Sequence, residues 1–215
     1  YCTRAILLYV ERIGDARKFM SAARAAARAK PKRVIFAEAE EEVVLRAAVQ
    51  FKQDGLGIPV LVGRDASVTQ KLAEMGEDPE AFEIHNSVSS NLVERMVDTL
   101  YARLQRRGYL RRDIQRMVNR DRNIFGALLL KMDQADAMIT GVTRTFSQTL
   151  RELRRVIDPK KGHVPFGIHV MVGKSHTVFL ADTTVNERPD AEELACIAEN
   201  TAHVARRLGH EPRVA

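Results

Sequence analysis

Two apolar rhythms alternate along most of this chain. Short runs of Val, Ile, Leu and Phe have the length of buried strands, and between them apolar residues recur every three or four positions, as on one face of a helix. Read in order, residues 1–13 and 15–30 predict helices, the second rich in Ala and Arg, with Asp15 placed to cap it after Gly14 and Pro31 ending it. Residues 33–37 (RVIFA), 59–62 (PVLV), 83–85 and 137–140 predict strands. Helices are expected at 41–53, with Val43, Val44, Ala47, Ala48 and Phe51 on one face, and at 66–75 and 91–107, the last closed by Gly108. Shorter helical pieces follow at 113–118 and 124–132. Strands separated by helices of this length imply an α/β fold with a mainly parallel sheet and right-handed crossovers.

Beyond residue 144 the pattern changes. Residues 163–172 and 177–181 are apolar strands joined by Gly173, Lys174, Ser175 and His176, which predicts a hairpin. A polar segment, 182–186, leaves the second strand. Pro189 and Asp190 open a long helix over 191–208, which Gly209 closes. Residues 212–215 (PRVA) look like the start of a further strand, and an apolar run cut at that point predicts a piece of a longer chain.

The stretch 135–154 carries the most chemistry. A short strand runs into Gly141, then Thr143, Arg144 and Thr145, then an amphipathic helix. Unpaired N–H groups at the start of a helix and an arginine with fork geometry make an anion site; an ordinary strand-to-helix turn with a surface arginine has the same sequence. Arg144 is the residue expected to meet a phosphate, since it leads the helix and has no acid adjacent to it in sequence. Asp182 and Asn186 follow a core strand at its carboxyl end, where α/β folds place ligands, and they also suit loop capping. Glu38, Glu40, Glu41 and Glu42 read best as acids offsetting a helix dipole. Arg103, Arg106, Arg107, Arg111, Arg112 and Arg116 form a basic stretch that reads mostly as solvated surface, and His176 reads as a surface histidine in the hairpin loop.

Composition narrows the partners. The 215 residues carry 34 Lys and Arg against 28 Asp and Glu, a net charge of +6, which favours anionic partners. The basic residues are scattered over helices without interleaved aromatics, so no nucleic acid is expected. No apolar run is long enough for a bilayer, no signal-peptide pattern opens the chain, and no membrane partner is expected. Cys2 and Cys196 and the dispersed histidines have no metal-ligand spacing, so no metal site is expected. A cytoplasmic, reducing setting follows.

Several segments in order resemble the phosphate acetyl/butyryl transferase (phosphotransacetylase) family. They are KRVIFAEAEEEVVLRAA, GIPVLVGR, ADAMITG and FLADTTVNERPDAEELACIAENTAHVARRLGHEPRVA, covering roughly residues 32 to 215. GALLLKMDQADAMITGVTRTFSQTLRELRRVID is most similar to the phosphotransacetylase-like C-terminal domain of the large hybrid NADP-dependent malic enzymes of bacteria. The resemblance implies a two-lobed α/β/α fold, isocitrate dehydrogenase-like, with the ligand between the lobes. On that reading 1–30 is a helical connecting arm, 31–143 the first lobe and 144–215 a second lobe truncated at its C-terminus.

In that family a cysteine and a histidine follow the central glycine, where this chain has Thr143 and Arg144, and a glycine usual between the first two acids is Ala39 here. The family's catalytic serine, arginine and aspartate fall beyond the strand at 212. No catalytic residue is therefore assigned. The implied function is a regulatory domain that binds acetyl-CoA, or a related acyl-CoA, as an allosteric effector through Thr140, Gly141, Thr143, Arg144, Thr145, Asp182 and Asn186. The resemblance further implies a homo-oligomer, with a dimer formed through the second lobe. NADP and a divalent metal are expected only in a malic enzyme domain outside this sequence, and no Gly-rich dinucleotide loop occurs within it. The alternative is an active phosphate acetyltransferase moving acetyl between CoA and phosphate.

Overall fold

The structure, a computed structural model, describes residues 16–172 and 177–215. The helix expected over 1–13, the Asp15 cap and the hairpin loop with His176 lie outside the described residues. The chain's own contacts divide it into two compact units, Lys30–Asp158 and Pro159–Ala215, with helix α1 (Ala16–Ala29) grouped with the second.

The first unit is built on a four-stranded parallel sheet. Its strands are β1 (Lys32–Phe36), β2 (Gly57–Val62), β3 (Glu83–His85) and β4 (Ala137–Ile139), in the order β3-β2-β1-β4. Alternate side chains of a strand face opposite ways, and both faces here are covered. Val34, Phe36 and Leu61 pack under α2 (Glu42–Gln53) and α3 (Asp65–Glu74). Ile35, Ala37, Val60 and Val62 pack under α4 (Val93–Leu104), α5 (Arg111–Arg120), α6 (Arg122–Lys131) and α7 (Phe146–Val156). The result is the α/β/α layering expected. Helix α6 is buried along nearly its whole length, from Asn123 to Leu130, as an apolar helix without a polar face must be.

Three local expectations need correction. The buried stripe of α2 is Val44, Leu45 and Ala48, whereas Val43 is 71% exposed and Ala47 lies at the surface, because the docking face is set one residue later than the apolar count suggests. The helix expected over 91–107 is α4 followed by one 3-10 turn, Gln105–Arg107, closed by Gly108 in the left-handed region. Residues 212–215 form no strand, and Pro212 offers no N–H to a ladder.

The second unit contains the antiparallel pair β5 (His169–Val172) and β6 (Thr177–Leu180) and the helix α8 (Ala191–Arg207). Strand β5 is shorter than expected because residues 163–168 serve a polar turn instead. The Asn186 amide donates to the Pro165 carbonyl at 2.9 Å, and the Gly167 N–H donates to Asp182 at 3.2 Å. Asp190 caps α8 with Glu193 in a reciprocal box. The sequence boundary between 143 and 144 falls ahead of α7, and the chain's contacts keep α7, packed on α6, with the first unit. No helix among the described residues is long and apolar enough to cross a membrane.

Candidate functional site

Parallel register brings two turns together at the carboxyl edge of the sheet. Phe36 pairs with Ile139, and the Ala37 N–H continues the ladder to the Ile139 carbonyl at 3.1 Å. Glu38, two residues past Phe36, therefore faces Gly141, two residues past Ile139. The Glu38 carboxylate accepts the N–H groups of Gly141 at 2.9 Å, Val142 at 2.8 Å and Thr143 at 3.0 Å, together with the Thr143 hydroxyl. Gly141 has φ 115°, a conformation that favours glycine and lets successive N–H groups converge. Burial pushes the Glu38 carboxyl up, but the Thr143 hydroxyl and the three N–H groups outweigh it and hold it below the ordinary carboxylate value.

The donors expected to face a ligand are thus taken by the chain itself. The same holds at both helix starts. Asp121 caps α6, accepting from Asn123 and Ile124, and Thr145 caps α7, accepting from Gln148. Thr140 donates to the buried Asn123, whose amide donates to Glu152 at 2.9 Å.

Arg144 is not free of acids, contrary to expectation. Its guanidinium pairs with Asp121 at 2.7 Å and with Glu152. The acids lie 23 and 8 residues away in sequence, which is why adjacency did not reveal them. Burial pulls the guanidinium pKa down, and the two carboxylates more than reverse it. The acidic quartet also splits. Glu41 and Glu42 start α2 at its surface as expected, whereas Glu38 and Glu40 are buried at 2% and 8% exposure. Glu40 is held by Arg64 at 3.0 Å and Arg122 at 2.8 Å. Burial raises its pKa, and the two arginines bring it below the usual value.

Glu38, Arg120, Arg122, Asn123, Thr143 and Arg144 line a polar pocket of about 210 Å³ within the first unit. Arg122 and Arg144 each carry carboxylate partners, whereas Arg120, at the exposed end of α5, has none among the described residues. Its guanidinium is the charge in this pocket that a ligand anion can take without displacing an acid. Arg120, Arg122 and Asn123 were missed in sequence; the Asp121 cap signal just before an apolar helix could have pointed to this helix start. The basic stretch read in sequence lies elsewhere: Arg103 pairs with Asp158, Arg111 with Asp98, and Arg112 and Arg116 with Asp113.

Asp182 and Asn186 belong to the second unit. Asp182 accepts the N–H groups of Gly167, Thr184, Val185 and Asn186 and the Asn186 amide, which is the capping role. Burial raises the Asp182 carboxyl, and these backbone donors lower it below its usual value. Among the described residues no cluster of His, Cys, Asp and Glu could hold a metal ion.

Residues 18–215 match the profile of the phosphate acetyl/butaryl transferase family. The chain belongs to that family. An NADP-dependent malic enzyme of Rhizobium meliloti is 44% identical over 190 residues, 87% of this chain and 25% of that protein. A phosphate acetyltransferase of Clostridium acetobutylicum is 33% identical over 192 residues, 86% of this chain and 57% of that protein. A crystal structure of a phosphotransacetylase from Streptococcus pyogenes superposes with a TM-score of 0.84 and 30% identity, over 91% of this chain and 60% of that one. The α/β fold of this family member is therefore that of phosphotransacetylases. The chain spans about a quarter of the length of the malic enzymes it matches.

Proposed function

We propose that this chain is the phosphotransacetylase-like regulatory domain of a bacterial, cytoplasmic malic enzyme, and that it binds acetyl-CoA as an effector. The observation that carries the reading is the pocket of the first unit, where Arg120 stands without a carboxylate partner among the described residues beside Thr143 and Asn123. A guanidinium without a carboxylate partner among the described residues suits a phosphate of the CoA moiety. The similarity to a malic enzyme at 44% identity supports oxidative decarboxylation of malate as the parent activity in this proposal, with NADP and a divalent metal assigned to residues outside this sequence. Self-association through the second unit is part of the proposal; Met171, Leu180 and Leu194 there are 55%, 41% and 54% exposed.

Phosphate acetyltransferase activity is the second reading, favoured by the 33% identity to such an enzyme. Against turnover, the Thr143 hydroxyl donates to Glu38, a carboxylate that three backbone N–H groups help hold below its ordinary value and that is therefore a weak base for activating it. Calorimetric titration with acetyl-CoA tests binding, and a coupled assay for acetyl phosphate tests turnover. Saturable binding without acetyl phosphate supports the regulatory reading. Acetyl phosphate formation favours the second, and no binding overturns both.

A further inference from the structure

One turn fills both oxygens of Glu38. Oε2 accepts from Gly141 and Val142, and Oε1 accepts from the N–H and the hydroxyl of Thr143. Three convergent N–H groups with a hydroxyl are the donor set of an anion site, yet here the anion is a side chain of the neighbouring strand's turn. The same carboxylate lines the pocket with Thr143 and Arg144. Resting on the acyl-CoA reading above, we propose that Glu38 is a positioning residue: a built-in anion that holds the turn so that Thr143 and Arg144 line a ready-made ligand pocket.

The alternatives fit the contacts less well. With four donors on two oxygens, Glu38 has no lone pair left to act as a base on a ligand. A purely apolar packing role does not require a carboxylate, and it leaves three N–H groups of the turn unpaired. The turn's other anchor is weaker as a template: the Ala37–Ile139 bond ends before Gly141, so without Glu38 nothing else among the described contacts gathers those three N–H groups. Holding the turn costs the ligand no ordering free energy on binding, which is the benefit of preorganisation. The same contact keeps a ligand's phosphate off the turn and directs it to the arginine side of the pocket.

A small carboxylate distinguishes these roles. In Glu38→Ala the site left behind fits formate, and formate should restore what the side chain supplied. The expected result is a lowered Tm, acetyl-CoA binding weakened by roughly tenfold or more, and recovery of both with formate in a saturable manner. Chloride at equal ionic strength should not restore them, and wild type should not respond. Glu38→Gln keeps the volume but points an amide N–H₂ at N–H donors, so it should also bind more weakly and be insensitive to formate; it serves if Glu38→Ala does not fold. Unchanged acetyl-CoA affinity in the variants, with wild type binding normally, overturns the positioning role alone. In Glu38→Ala, loss of affinity that formate does not restore assigns Glu38 to packing and also overturns it. Failure of wild type to bind acetyl-CoA overturns the ligand reading and this inference with it.

Discussion

The Arg144 guanidinium lies 2.7 Å from the Asp121 carboxylate, and this pair joins the start of α7 to the capping residue of α6. Asp121 does two things at once, accepting from the first N–H groups of α6 and holding the guanidinium that also reaches Glu152. Arg144→Ala leaves two largely buried carboxylates without their cation. It should lower stability by about 1.5–3 kcal/mol, the worth of hydrogen bonds to charged groups. Urea unfolding of wild type and variant gives the difference; a change within about 0.5 kcal/mol would show that the pair is only decorative. Arg144→Lys, which keeps the charge without the fork, should lose less.

The depressed carboxylates set the acid limit. Glu38 and Glu40 start from an ordinary value of 4.5 and are lowered in the fold, Glu38 by the Thr143 turn and Glu40 by Arg64 and Arg122, each against the upward push of burial. A carboxylate lowered on folding contributes stability that is complete above its unfolded pKa and is lost as pH falls through the folded one. Tm should therefore hold from neutrality to about pH 5 and then fall. The fall should be shallower in Glu38→Gln, whose side chain cannot titrate. Parallel acid limbs for the two proteins would exclude Glu38 from the effect.

Gly57 opens β2 against β1, and a Cβ there would lie 2.3 Å from the Lys32 carbonyl oxygen and 2.8 Å from the Phe51 ring. The nearer atom is backbone in a paired strand and cannot step aside cheaply. Gly57→Ala should cost at least about 1–3 kcal/mol, whereas Gly63→Ala, crowded by side chains of Val68 and Glu40, should cost less. Relative midpoints in denaturant decide the order, and equal midpoints would contradict it.

Much of the first unit was legible in sequence for a simple reason. Strands β1 and β2 are buried on both faces over their carboxyl-terminal parts and read there as unbroken apolar runs, β4 is a short apolar run, and α6 is an apolar helix between a cap and a lysine. The order of strand, glycine turn and helix around Gly141 was legible too, because it leaves a local signature. Its wiring was not. Glu38 and Thr143 are 105 residues apart, and Asp121 lies 23 residues from Arg144. Such pairings follow from strand register and helix docking, which periodicity does not encode. The buried Glu38 and Glu40 therefore looked like the surface acids Glu41 and Glu42 beside them.

Thr149, on the buried side of α7, is 1% exposed, and its hydroxyl has no hydrogen-bond partner among the described residues. A buried hydroxyl left unpaired carries its desolvation cost without return. Thr149→Val keeps the shape and removes the polar atom, so it should leave stability unchanged or raise it by up to about 1 kcal/mol. A loss of stability in denaturant titration would mean that the hydroxyl does have a partner.

The final expectation separates the pocket from its scaffold. Arg120 is exposed at the end of α5 and has no carboxylate partner among the described residues, so removing it breaks no ion pair. Arg120→Ala should leave stability within about 0.5 kcal/mol of wild type. If the anion of acetyl-CoA is held in this pocket, the same change should weaken binding about ten- to hundredfold, as loss of a charge-assisted contact does. Part of that loss should shrink as salt is raised, since an exposed guanidinium is screened. Arg112→Ala is the control, because Arg112 is similarly exposed on α5 but does not line the pocket. The measurement is calorimetric titration of acetyl-CoA into all three proteins at two salt concentrations. Equal affinity for Arg120→Ala and wild type would remove the anion from this pocket. Equal losses in Arg120→Ala and Arg112→Ala would reduce the effect to general surface charge.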